Sequence, residues 1–182
     1  MEPGALQVGP ETVKRASQVS VITGAGRGIG KEIALEHGRE GAKVGLLART
    51  ARQIEEAVEA IGAAGGTARA YVVDVVDLNA VNTAFAAIEE DLGPIDVLVN
   101  NAGAFGGIGH IWDVDPSTWW RDVETNIRGT FNCCRAAVAG MMLRERGSLM
   151  LVHHRQIFGD TLDKAEQANC VTKIAGTDDA IR

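Results

Sequence analysis

Thr23-Gly24-Ala25-Gly26-Arg27-Gly28-Ile29-Gly30 follows a short apolar run, Val19-Ser20-Val21-Ile22, and precedes a stretch with helical spacing. Glycines in such a turn let the backbone approach a pyrophosphate closely, and the helix behind them offers unpaired N–H groups and a positive dipole end. Gly24, Arg27, Gly28, Ile29 and Gly30 are therefore the first candidate binding residues. The end of the next apolar segment, Leu47-Ala48-Arg49-Thr50, would meet the adenosine ribose of a bound dinucleotide. An acid there bonds the 2′-hydroxyl and selects NAD, whereas an arginine suits the 2′-phosphate of NADP. The sequence has no acid at this point. Arg49, with Arg27 as a second cation, favours NADP over NAD. The alternative leaves both arginines merely solvated.

These loops need a scaffold that carries them to one edge, and the hydropathy pattern supplies it. Apolar segments at 19–23, 43–48, 68–73, 95–99 and 148–152 read as strands. Amphipathic segments read as helices over 31–40, from Thr50 to Gly62, over 78–92, from Pro116 to about Arg144, and from Glu166 to the terminus. Strands separated by single helices imply a parallel sheet with right-handed crossovers and helices on both faces. Unalternating strands such as Val97-Leu98-Val99 fit burial on both sides. Residues 1–18 read as a tail with no sustained periodicity, and 19–182 as one domain.

Four segments in order carry a resemblance. The pattern Thr-Gly-x-x-x-Gly-Ile-Gly at 23–30, Asp74-Val75 after the third strand, Asn100-Asn101-Ala102-Gly103 after the fourth, and Asn126 in Glu124-Thr125-Asn126-Ile127-Arg128-Gly129 are similar to the short-chain dehydrogenase/reductase family. The resemblance implies a Rossmann-type doubly wound parallel sheet in three α/β/α layers. It also implies hydride transfer between a nicotinamide and a small-molecule carbonyl or alcohol. By the same resemblance Asp74 and Val75 contact the adenine, Asn101, Ala102 and Gly103 line the nicotinamide side, and Asn126 belongs to the active site. Lys173 would hold the nicotinamide ribose and tune the proton donor. Family members commonly pair through the long fourth and the fifth helices, so a homodimer or homotetramer is expected.

The chain departs from the family in its last part. A family tyrosine gives or takes the proton, and a serine orients the oxygen. The only tyrosine here is Tyr71, in the third strand, where it reads as core. His153-His154 stand where the serine pair would follow the fifth strand. In Gln167-Ala168-Asn169-Cys170-Val171-Thr172-Lys173, cysteine replaces tyrosine, and Lys173 lies three residues from Cys170 and four from Asn169. On a helix only the four-residue spacing shares one face. Family members run to roughly 250 residues, a normal length for one α/β domain. The sheet is accordingly expected to be shortened at its C-terminal side, with 153–182 altered as a block. Three readings follow: an oxidoreductase using a substitute acid such as His154 or Cys170, a non-catalytic NADP-binding protein, or a defective fragment of an active parent.

Composition narrows the partners. The formal net charge is −6 and no basic run occurs, which argues against nucleic acid. No apolar stretch reaches spanning length, and Met1-Glu2-Pro3-Gly4 does not open a signal peptide. Three cysteines, two of them adjacent, suit reduced thiols and a cytoplasmic location rather than a disulfide framework. No metal-ligand set is assigned.

Overall fold

The computed structural model describes residues 17–152 and 170–174. Five strands lie parallel in the order β3-β2-β1-β4-β5: β1 (Val19–Thr23), β2 (Lys43–Ala48), β3 (Thr67–Val72), β4 (Ile95–Asn100) and β5 (Gly147–Leu151). Between them run α1 (Gly28–Arg39), α2 (Ala51–Ala63), α3 (Leu78–Leu92), α4 (Pro116–Val123) and α5 (Thr130–Leu143). The expected doubly wound α/β sheet is formed, with its ends within two or three residues of those read from the sequence.

Period-two alternation along buried strands sends neighbouring side chains to opposite faces. Val19 and Val21 of β1 and Leu98 of β4 join α3 and α5 through Val81, Phe85, Ile88, Cys133 and Met141. Ile22, Val97 and Val99 face the other way, onto Ala34 of α1 and Ile54, Ala57 and Ile61 of α2. The two clusters make a three-layer domain. All five parallel strands present their carboxyl ends, and hence the loops that follow them, to the same side.

The region between Pro116 and Leu143 is not one regular helix. A π-helical segment, Glu124–Gly129, joins α4 to α5. Its widened turn accompanies Asn126, whose carbonyl accepts the Thr130 hydroxyl at 2.8 Å and whose side chain turns outward onto Ala104. Gly129, at the end of the segment, lies against Val75, where an added Cβ would stand 2.5 Å from Cγ2.

The helix expected from Glu166 onward is corrected at 170–174. Cys170–Ile174 forms a strand, β6, antiparallel to β5 and at the edge of the sheet. The segment is short and rich in β-branched residues, and β5 would otherwise expose a row of unpaired backbone groups. The register places Cys170 opposite Leu151, at the carboxyl end of β5, and Lys173 opposite Ser148. The helical face imagined for Asn169 and Lys173 is therefore absent from these positions; Asn169, His153 and His154 lie outside the described residues.

Other expectations need smaller corrections. Tyr71 is only partly buried: its hydroxyl donates to Asp91 at 2.9 Å on the outer edge of the sheet. Thr50 occupies the N-cap position of α2 without a side-chain cap bond. Ala137 and Met141 of α5 are buried against the sheet and are not part of its outer face. Cys133 is buried, and desolvation followed by the neighbouring Cys134 pushes its thiol up to about 12. It is protonated at neutral pH and serves as a core residue. Among the described residues no helix is long and apolar enough to cross a membrane.

Candidate functional site

Thr23, the last residue of β1, organises the carboxyl edge. Its hydroxyl accepts the backbone N–H groups of Asn101 at 3.0 Å and Ala102 at 2.9 Å, and donates to the Val99 carbonyl at 3.4 Å. Asn101 returns the contact, with its side-chain amide donating to the carbonyls of Thr23 at 3.1 Å and Gly24 at 3.2 Å. The loop after β1 and the loop after β4 are thus stapled together. Sequence reasoning named Asn101 but missed Thr23, whose place just ahead of the first glycine was the available signal.

The staple leaves no room for side chains at two glycines. An added Cβ on Gly24 would stand 2.9 Å from the Ala102 Cα, and one on Gly30 would collide with the Asn101 amide and the Gly24 carbonyl. Gly24 (φ 65°) and Gly28 (φ 56°) also hold left-handed backbone, which glycine adopts at little cost. Gly28 faces open space instead of protein. Arg27, at the N-cap of α1, makes no side-chain cap bond, so the first amides of the helix remain available beside it.

Around this turn lies a cleft of about 640 Å³. Gly24, Arg27, Gly28, Ile29, Arg49, Asp74, Val75, Asn101, Ala102 and Gly103, drawn from four separate loops by the sequence reading, all line it. Gly30 does not; it lies behind the cleft, buried under Asn101. Thr50, from the segment expected at the ribose, lines it as well, as do Gln53 and Thr125, which were not foreseen. Gln53 lies one turn into α2 and gives no local sequence signal. Arg27 and Arg49 are exposed and form no ion pair with any described residue.

The loop after β3 is fixed from below. Asp74 accepts the Val76 N–H at 3.1 Å, and the buried Asn132 of α5 donates to the carbonyls of Val75 at 2.9 Å and Val76 at 3.2 Å. At the other end Asn126 grips one residue of the loop: its oxygen accepts the Ala104 N–H and its amide donates to the Ala104 carbonyl, both at 2.9 Å. Asp122 holds the following turn by accepting from Gly106 and Gly107, each at 2.7 Å. Asn126 therefore acts here as a clamp on the loop after β4.

Beyond that clamp lies a second pocket, of about 630 Å³, which shares Asn101, Ala102 and Gly103 with the cleft. Asn126, Ile127, Thr130, Leu151 and Val152 close it on the side of β5. Two cavities joined across the loop after β4 suit a long ligand lying over the glycine turn with a smaller one beside its far end.

The cleft fits a dinucleotide by its own construction: open left-handed glycine at the turn, free amides at a helix N-terminus, and two unpaired cations at the rim. Comparison with known proteins agrees. The family model described as short chain dehydrogenase matches residues 18–153. The 2-(S)-hydroxypropyl-CoM dehydrogenase 3 of Xanthobacter autotrophicus is 36% identical over 134 residues, covering 74% of this chain and 52% of its own length. A metagenomic short-chain oxidoreductase solved in complex with NADP superposes with a TM-score of 0.70 at 34% identity, covering 74% of this chain and 61% of that one. NAD+-bound xylitol dehydrogenase superposes with a TM-score of 0.72 at 32% identity, covering 74% of this chain and 52% of its own. The chain spans about half the length of the curated relative it matches. With the family model matched along about three quarters of its residues, the chain belongs to the short-chain dehydrogenase family.

Proposed function

We propose that the chain binds a nicotinamide dinucleotide in the cleft, NADP in preference to NAD, and belongs to an oxidoreductase acting on a small-molecule carbonyl or alcohol. When bound, the dinucleotide supplies or takes up the hydride. The chain's own residues hold it: Gly24, Gly28 and the α1 amides at the pyrophosphate, Asp74 and Val75 at the adenine, and Asn101 to Gly103 toward the nicotinamide. The ribose role that the resemblance implies for Lys173 is not carried into this proposal, because the register sets it opposite Ser148, toward the amino end of β5.

One observation carries the NADP preference. Arg27 and Arg49 line the cleft without ionic partners, and no carboxylate stands at the end of β2. A 2′-phosphate finds two cations there, whereas the 2′-hydroxyl of NAD finds no acid to accept its proton. Titration followed by cofactor fluorescence is expected to give tighter binding of NADPH than NADH, and Arg49→Asp is expected to reverse the order. Equal affinities in the unmodified chain would remove the basis of the proposal.

We also propose a homodimer or homotetramer through the outer face of α4, the π-helical segment and α5. Trp120, Ile127, Phe131 and Met142 are exposed along it, a larger apolar display than a lone helix face needs. Sedimentation at micromolar concentration is expected to show an assembly; a stable monomer there refutes it. A cytoplasmic location is proposed on the thiol chemistry alone.

A further inference from the structure

Asn132 is a polar residue in an apolar place. It stands in the first turn of α5, 3% exposed, although asparagine is a weak helix former. Its amide reaches out of the helix and donates to the carbonyls of Val75 at 2.9 Å and Val76 at 3.2 Å. The Val75 carbonyl and the Val76 N–H belong to one peptide unit. That N–H donates in turn to Asp74 Oδ1 at 3.1 Å. A peptide is planar, so a group that fixes its carbonyl also fixes its N–H. A line of contacts therefore runs from Asn132, through the Val75–Val76 peptide, to the Asp74 carboxylate at the cleft surface. Gly129 restrains the same unit independently: a Cβ there would stand 2.5 Å from Val75 Cγ2 and 3.6 Å from its carbonyl carbon.

The arrangement has a chemical result at Asp74. One carboxylate oxygen is engaged by Val76, and the other meets no donor among the described residues. An oxygen held in place and left open toward a cleft is an acceptor for a ligand N–H. Asn132 itself is buried and lies outside the cleft lining, so it acts only through the loop. We propose that Asn132 is a positioning residue: it orients Asp74 through the Val75–Val76 peptide, so that the open oxygen accepts the amine of adenine and disfavours a purine with a carbonyl there. The proposal rests on the reading of the cleft as the dinucleotide site, with the adenine at Asp74 and Val75.

The test compares NADPH with its hypoxanthine analogue, in which a carbonyl oxygen replaces the adenine amine. Fluorescence titration of the full chain is expected to favour NADPH by about tenfold, the scale of one hydrogen bond to a charged group. Asn132→Ala removes both donors and is expected to reduce that ratio to about twofold or less, by weakening NADPH far more than the analogue. Gly129→Ala pushes on Val75 without removing a hydrogen bond, and is expected to narrow the ratio likewise. Met141→Ala opens a cavity at the far end of α5, and is expected to lower the thermal midpoint at an unchanged ratio. The ratio decides, because a general loosening of the helix weakens both ligands alike. A parent ratio near unity overturns the proposal, as does an Asn132→Ala variant that keeps the parent ratio. An equal fall of the ratio in Met141→Ala overturns it too, since Asn132 would then serve packing alone. If Asn132→Ala does not fold, Gly129→Ala decides; loss of the fold in both overturns the proposal. All these outcomes leave the dinucleotide reading standing, whereas a parent chain that binds neither dinucleotide overturns that reading and the proposal with it.

Discussion

Gly30→Ala is expected to weaken NADPH binding by at least about tenfold and to destabilise the fold by about 1–3 kcal/mol, the usual cost of forcing a methyl into filled space. Gly30 touches no part of the cleft surface, so the effect has to travel through its neighbours. An added Cβ collides with the Asn101 amide and comes within 2.5 Å of the Gly24 carbonyl, two of the groups that staple the first loop to the loop after β4. Neither is the flexible end of a long side chain: one is backbone, and the other is held by two hydrogen bonds. Relief requires the glycine turn to move away from Asn101, and the turn is what presents the α1 amides. Gly62→Ala is the matched control. That glycine lies in α2 with nothing within 4 Å of an added Cβ, and alanine there is expected to raise stability by roughly 0.5–1 kcal/mol through its helix preference. Titration with NADPH and chemical denaturation of the two variants measure both quantities. Binding by Gly30→Ala equal to that of the parent would mean that the staple does not position the cleft.

This pair of glycines illustrates what could be read without a structure. The sequence pattern marked Gly30 together with the other glycines of the turn, whereas in the structure it packs against Asn101 and Gly28 faces open space, and the two kinds of glycine look alike in a string of letters. Arg49, Asp74 and Asn101, the first read from its charge and the others through the resemblance, each follow a strand, and strand ends in a parallel sheet converge on one edge. Thr23 was marked only by its place ahead of the first glycine, and Asn132 and Asp122 by nothing local. Each is a polar side chain whose partner lies on another element, and no local periodicity records such a pairing. The π-helical turn was foreshadowed only by the resemblance, which implies a helix-kinking asparagine at Asn126; the structure adds its bonds to Ala104 and the close approach of Gly129 to Val75. The segment 170–174 went wrong because resemblance to a helical motif outweighed its β-branched residues, which favour the strand that covers β5.

The chain is expected to turn over carbonyl substrates about 10²–10⁴ times more slowly than a tyrosine-bearing relative, which is the worth of positioned acid–base assistance. Its only tyrosine cannot help. Tyr71 lies on β3, three strands away from β4, a separation of about 14 Å at ordinary strand spacing. Its phenol is turned to Asp91, and desolvation, reinforced by that acid, raises its pKa well above the ordinary value, the opposite of what a proton donor near neutrality needs. Asn126 cannot substitute, since an amide has no titratable proton and both ends of its side chain are held by Ala104. The position to repair is set by the sheet. With a strand at 170–174 in place of the expected helix, the helical face shared by positions 169 and 173 is absent, whereas Cys170 pairs with Leu151 at the carboxyl end of β5. Cys170→Tyr is therefore expected to raise turnover above the parent and above Asn169→Tyr, although short of a full enzyme because no serine follows β5 in the sequence before His153 and His154. NADPH oxidation with activated ketones and aldehydes measures all three chains, with NADPH titration alongside to show that the cleft is filled. Fast turnover by the unmodified chain would refute the expectation, and its loss on His154→Ala would identify that histidine as the replacement acid.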